Sequence, residues 1–240
     1  MTLLPVLLAG ALLLVLGWWL TRYPRPVIRW LVFLAVILCY RLRLRGQEGI
    51  PDQGPALVVC NHVSFMDALV VGGASHRPLR FLMDKPIYDS PWLNWLFRLV
   101  GAIPVETERR HPASIRRALE EIGRALDEGE VVMLFPEGRL TPDGDVHPFR
   151  RGLELILARH PVPVIPAGIS GLWGSWTSHQ GGPALSKPPR RFRPRVALHF
   201  SEPVPPGDVT RRDIEQRVRE LKAVGDQWVE GPSREVVSHL

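Results

Sequence analysis

From about residue 50 onward, short apolar runs alternate with amphipathic stretches, and each kind of stretch predicts an element. Runs of small and branched apolar residues at 56–60, 79–83, 103–105, 131–135, 164–167 and 196–200 predict buried strands. Between two of them, 112–128 is the clearest helix: Ile115, Leu119, Ile122 and Leu126 recur on one face and Gly129 supplies the stop. A second helix, exposed, is expected over 210–229. There is no internal repeat, and the alternation of strand and helix predicts an α/β domain, a mixed β-sheet flanked by helices.

The first 45 residues follow a different pattern. Positions 3–20 carry no charge, and as a helix they would be ~27 Å long, close to the hydrocarbon thickness of a bilayer. A cleaved signal peptide is the competing assignment, but no Lys or Arg precedes the apolar run and no small-residue cleavage site follows Trp18, Trp19 and Leu20. A retained spanning helix is therefore expected. Between Thr21 and Arg45 stand six arginines (22, 25, 29, 41, 43 and 45) and no acid, which by the positive-inside rule places this region, and the domain after it, on the cytoplasmic face of the cytoplasmic membrane. The apolar stretch 30–40 is too short to cross and is expected to lie in the interface or re-enter one leaflet, its arginines at the headgroups. A buried helix of the following domain is the alternative. The organisation expected is thus a membrane anchor over 1–45, a catalytic domain over 46–230 and a flexible tail over 231–240.

Composition narrows the partners. Apolar residues make up 45% of the 240, which excludes a disordered chain. The formal charge of +6 favours an anionic partner: a membrane surface, a nucleic acid or a phosphorylated substrate. Lys187, Arg190, Arg191, Arg193 and Arg195 form a further basic cluster, but with Phe192 as a lone aromatic and no recognition fold it does not point to nucleic acid. Two cysteines give no disulfide framework and fit a reducing compartment. No metal-ligand spacing, dinucleotide fingerprint or P-loop is present, so no cofactor is implied.

The chemistry is expected where strands end in polar clusters, since loops at the carboxyl ends of neighbouring strands of an open sheet share one crevice. The run 56–60 ends in Asn61-His62-Val63-Ser64-Phe65-Met66-Asp67. With Ser64 as N-cap and a helix over 65–74, Asp67 falls at N3, its carboxylate directed back toward the His62 ring and held ionised by the helix dipole. An ionised carboxylate keeps one imidazole nitrogen protonated and leaves the other as a base. The same Ser64-x-x-Asp67 also fits a capping box, in which Asp67 only answers the N-cap amide. A second run, 131–135, leads into Pro136-Glu137-Gly138-Arg139; Arg139 there suits a phosphate, and Glu137 a hydroxyl or the arginine itself. A plain Pro/Gly turn is the alternative. Val162-Pro163-Val164-Ile165-Pro166 places prolines around a short strand, either a site wall or a simple edge strand. Ser64 as the nucleophile of a hydrolase lacks the GxSxG elbow.

In this order, NHVSFMD, FPEGR and VPVIPA resemble the glycerolipid acyltransferase superfamily of HxxxxD type, which includes 1-acylglycerol-3-phosphate and lysophospholipid acyltransferases. The resemblance covers about 44–206. It implies His62 and Asp67 for catalysis, Asn61, Lys85, Glu137, Gly138 and Arg139 for substrate binding, and 162–166 as a wall. It also implies a lysophospholipid acceptor at the phospholipid membrane and acyl-CoA or acyl carrier protein as the donor substrate. Two departures stand out. Thr107 occupies the position where the family usually has a phosphate-binding arginine, with Arg109 and Arg110 as substitutes in the same loop; and the usual threonine between Gly138 and Arg139 is missing. Both resemble the subgroup acting on lysophosphatidylethanolamine. The implied reaction is direct acyl transfer, with Lys85 or a backbone amide near Gly138 as the oxyanion donor.

Overall fold

The computed structural model describes residues 3–22, 24–106, 112–182, 186 and 193–231. Thr107, Arg109, Arg110, Lys187, Arg190, Arg191 and the tail 232–240 lie outside them. In chain order the elements are α1 (Leu3–Arg22), α2 (Pro24–Cys39), β1 (Arg41–Arg45), β2 (Ala56–Cys60), α3 (Asp67–Ala74), β3 (Leu79–Asp84), α4 (Lys85–Tyr88), α5 (Asn94–Leu99), β4 (Ile103–Val105), α6 (Pro112–Asp127), β5 (Val131–Leu134), α7 (Gly152–Leu157), β6 (Val164–Ser170), β7 (Arg195–Phe200) and α8 (Arg211–Glu230).

The strands form one mixed sheet in the order β1-β7-β6-β2-β5-β3-β4. All neighbours are parallel except β6 and β7. Strands β2, β5 and β6 are buried along their whole length, which is why their sequences are unbroken apolar runs: a parallel strand with helices over both faces has no solvent side. Two apolar cores result. One, on the α2–α3 side, gathers Val36, Tyr40, Val58, Cys60, Val70, Val71, Met133 and Ile165. The other gathers Leu57, Val59, Ile122, Leu126, Leu153, Ile214 and Val218 beneath α6, α7 and α8.

Several expectations change at this level. Strand β1 was not anticipated: in Arg41-Leu42-Arg43-Leu44-Arg45 the leucines pack on the first core while the arginines decorate an edge, a period of two that also reads as juxtamembrane charge. The sheet therefore begins inside the segment assigned to the anchor. Helix α2 is likewise part of the domain, with Ile28, Val36 and the following Tyr40 buried and Arg29 Nη1 donating to Ser75 O, 2.8 Å, at the end of α3. Helix α8 is not a detached surface helix, since Ile214 and Val218 are fully buried. On α6 the buried stripe is Ala118, Ile122, Ala125 and Leu126, with Ile115 exposed. The stop at Gly129 is observed, Gly129 N donating to Leu126 O and Glu130 N to Ala125 O.

Among the described residues no helix is long and apolar enough to cross a membrane, so the spanning anchor expected over 3–20 is not found. What α1 does present is apolar surface: Leu12, Leu13, Leu14, Trp18 and Trp19 are all exposed. Both cysteines are free thiols.

One buried ionisable group lies away from the strand-end crevice. His199 on β7 is buried, its Nε2 has no partner, and its pKa is lowered, first by burial and then by Arg45 and Arg43, against a hydrogen bond to the Leu221 backbone. The folded state thus disfavours the proton that the unfolded chain accepts near the ordinary value of 6.5. Stability is complete above that pH and declines as pH falls through it. His199→Asn, which keeps a donor but does not titrate, is expected to flatten the decline in Tm as pH falls below 6.5, measured by thermal unfolding across a pH series.

Candidate active site

The end of β2 is held to β6 by a side chain. Beyond Cys60 the β2 backbone leaves the ladder, and Asn61 replaces the next rung with its amide: Nδ2 donates to Ile169 O at 3.0 Å and Oδ1 accepts from Ile169 N at 2.8 Å. Asn61 is fully buried with both functions used, so it positions the loop and does not reach substrate as expected. Only then does the chain turn outward at His62.

His62 Nδ1 lies 2.9 Å from Asp67 Oδ2. The same oxygen accepts from Val63 N at 2.6 Å and Ser64 N at 2.8 Å. All three partners are donors, which suits the charged carboxylate. Burial pushes the Asp67 pKa up, while the His62 ring and the two amides pull it back. Because a carboxylate only accepts, the proton belongs on His62 Nδ1, leaving Nε2 with a free lone pair. Nε2 has no partner among the described residues, the ring keeps 18% of its surface exposed, and it stacks on Phe135 with centroids 4.0 Å apart. The geometry is that of an oriented general base.

The capping alternative is half true. Ser64 N to Asp67 is one arm of the capping box, but the helix starts at Asp67 with Met66 as cap, so Asp67 stands at its first position rather than at N3. Ser64 Oγ turns away: it pairs with Thr177 Oγ1 at 2.7 Å and accepts from Met66 N. Ser64 is fully buried and is no exposed nucleophile.

Glu137 serves the same loop. Its Oε1 accepts from His62 N at 2.9 Å and its Oε2 from His147 N at 3.0 Å, while Thr141 N donates to His62 O. Burial raises its pKa and the two amides oppose the rise. Both oxygens are thus committed to backbone, and Glu137 positions His62 instead of orienting a hydroxyl. Glu137→Gln turns an NH2 toward one of two amide donors; a loss of about 1–3 kcal/mol of stability is expected, with kcat reduced and KM nearly unchanged. Denaturant unfolding and steady-state kinetics check this, and a rise in KM alone would show direct acceptor contact.

Gly138 has φ of +67°, a conformation that favours glycine, and a Cβ there would lie 3.1 Å from Arg150. Its amide donates to Phe135 O, so it is not the oxyanion donor. Arg139 is exposed with no ion-pair partner among the described residues, as an anion contact requires, and the Arg150 side chain lies against Gly138. Lys85 is not brought to this cluster. It pairs with Asp89 at 2.7 Å and lines a separate cavity of about 780 Å³ with Tyr88, Arg98, Ser114 and Arg117 at the β4 edge. Pro166 and Ala167 lie within β6, beside β2, as a central strand and not an edge. The roles of Phe135, Thr141, His147, Ile169 and Thr177 were not read from sequence; of these only Phe135 carried a signal, as the residue before the Pro-Glu-Gly turn.

The family model described as Acyltransferase matches residues 41–170, from the start of β1 to the end of β6. The chain belongs to the acyltransferase family. Within that family it is 31% identical over 135 residues to the chloroplastic 1-acyl-sn-glycerol-3-phosphate acyltransferase BAT2 of Brassica napus, covering 55% of this chain and 38% of the relative. It is 33% identical over 129 residues to a lyso-ornithine lipid O-acyltransferase of Rhizobium meliloti, covering 53% and 42%. The chain thus spans about two fifths of the length of these curated relatives. Its fold matches the crystal structure of the 1-acyl-sn-glycerophosphate (LPA) acyltransferase PlsC from Thermotoga maritima with a TM-score of 0.65 at 25% identity, covering 88% of this chain and 83% of that one.

Proposed function

We propose that this chain is an O-acyltransferase that moves a fatty acyl group from a thioester, acyl-CoA or acyl carrier protein, to the free hydroxyl of a lysophospholipid or related lysolipid. The observation that carries this reading is the His62–Asp67 pair, one ring nitrogen bound to a carboxylate with three donors and the other open. His62 Nε2 takes the proton of the acceptor hydroxyl as its oxygen attacks the thioester carbonyl. The tetrahedral intermediate then expels the thiolate, which takes the proton back from His62. Asp67 keeps the ring oriented and offsets the imidazolium charge. No covalent enzyme intermediate and no cofactor is required.

Family membership and the names of the relatives support a lipid acceptor. Arg139, with Arg150 nearby, supplies charge for the phosphate of a headgroup such as that of 1-acylglycerol-3-phosphate or lysophosphatidylethanolamine. The acceptor is membrane-borne, and the exposed apolar residues of α1 and the outer side of α2 supply surface to hold the protein at a bilayer. The arginine-rich segment after α1 favours the anionic cytoplasmic leaflet, with the catalytic domain facing the cytoplasm. The hydrolase alternative is disfavoured by the burial of Ser64.

The test is purified protein in detergent with both donors and a panel of lysophosphatidate, lysophosphatidylethanolamine and lyso-ornithine lipid, read by product mass spectrometry. A diacyl product from at least one acceptor is expected. Free fatty acid without acyl transfer would instead support a hydrolase, and no product from any acceptor would overturn the proposal.

A further inference from the structure

The two faces of the sheet carry unlike outer surfaces. On the α6–α8 side the outward residues are charged and paired, as in Arg116–Glu120, Arg124–Glu121, Arg217–Asp213 and Lys222–Asp226, and the exposed large apolar residues of these helices are only scattered ones: Ile115, Leu155 and Val224. Scattered residues of this kind are ordinary surface. On the other side, Trp30, Leu34 and Leu38 of α2 and Leu69 of α3 are exposed together. The connection from β3 to β4 adds Ile87, Trp92, Leu93 and Trp95.

That connection lies at the β4 edge, where Lys85, Tyr88 and Arg98 share a cavity with Ser114 and Arg117 of α6, and its crossover begins on the same side as α3. Both β2–α3–β3 and β3–α4–α5–β4 join parallel strands stepping toward the β4 edge, and right-handed crossovers in one direction place their helices over one face. The α4–α5 segment also starts at Lys85, directly after β3, at the strand ends that carry the His62 crevice. Its tip is built outward. Trp92 is 82% and Trp95 63% exposed. Trp95 Nε1 is satisfied internally by Trp92 O at 3.0 Å, Asn94 Nδ2 ties the turn to Tyr88 O, and Tyr88 stacks on Phe97 behind it. Arg98 on the same short helix is exposed and has no ion-pair partner among the described residues. Exposed indoles with an unpaired cation beside them fit the headgroup region of an anionic bilayer, where aromatic rings sit at the boundary and a guanidinium meets phosphate.

We infer that the Trp92–Trp95 turn is a second lipid-contact site, distinct from α1 and α2, which inserts at the bilayer interface and turns the mouth of the His62 crevice toward the membrane. This rests on the membrane attachment proposed above and adds the orientation: contact at α2 and at Trp92–Trp95 gives two separated points of attachment, so the acceptor enters the crevice without leaving the bilayer.

The experiment uses the full chain and vesicles of phosphatidylcholine and phosphatidylglycerol. Trp92→Ser with Trp95→Ser is expected to lower vesicle partitioning about tenfold or more, because each indole withdraws on the order of 100 Å² of apolar surface from water on insertion. Acylation of a bilayer-embedded acceptor falls with it, while acylation of a short-chain acceptor in detergent stays unchanged. Trp92→Phe with Trp95→Phe keeps most of the binding but loses part of the tryptophan emission quenched by brominated lipid. Equal partitioning of wild type and the serine variant overturns this inference alone. Absence of vesicle binding by the wild type overturns it together with the attachment reading. Loss of self-association with unchanged vesicle binding assigns the turn to a protein contact and likewise overturns it.

Discussion

Replacing His62 by alanine is expected to lower kcat for acyl transfer by about 10²- to 10⁴-fold, the usual worth of a positioned general base, while leaving the fold intact. The side chain is partly exposed, and among the described residues it is held by the Asp67 hydrogen bond and the Phe135 ring. Its backbone N–H and C=O, which Glu137 and Thr141 hold, survive the change. Binding of donor and acceptor should therefore change little. Single-turnover kinetics with separately measured donor binding checks the split. Unchanged turnover in His62→Ala would remove the pair from the chemistry and leave a membrane-surface binding protein as the better account of the charge and the exposed apolar face.

Asp67→Asn is expected to lose both activity and stability, and so to differ from His62→Ala. Asp67 Oδ2 receives three donors, and Oδ1 is buried with no partner. An asparagine must put its NH2 in one of those places. At Oδ2 it meets three donors head on; at Oδ1 it is a buried donor with no acceptor. Either choice costs about 1–3 kcal/mol, and neither supplies a negative charge for the imidazolium. A kcat lower by about 10²- to 10⁴-fold is expected, with a fall of several degrees in Tm for a domain of this size. Calorimetry and kinetics on the same preparation check both. A variant of unchanged stability would show that the loop keeps its shape without the carboxylate.

The asymmetry between the two variants reflects how the site is built. His62 acts outward and is held by others, whereas Asp67, Asn61 and Glu137 are buried and hold the loop through backbone amides. The side chains of these loops that reach the surface are His62 and Arg139, with Arg150 against Gly138. Much of what looks like a binding motif in the sequence is scaffold, because a loop leaving a parallel strand has amides and carbonyls to satisfy before it can present a side chain.

Local order alone determined a good deal: six of the seven strands, the helices α3, α6 and α8 to within a few residues, and the pairing of His62 with Asp67. Each depends on the period of apolar residues or on a spacing within one turn, and both are properties of neighbouring residues. Strand β1 is not legible, and burial of α2 stands only as the alternative, because alternating arginine and leucine, or an apolar stretch beside arginines, satisfies a membrane interface as well as a sheet edge. Only the tertiary structure decided between those environments, by pairing β1 with β7 and packing α2 on α3. It also decided which polar residues face outward. Asn61 and Glu137 meet their partners 108 and 75 residues away, contacts set by which strands lie side by side, and no local pattern encodes that order.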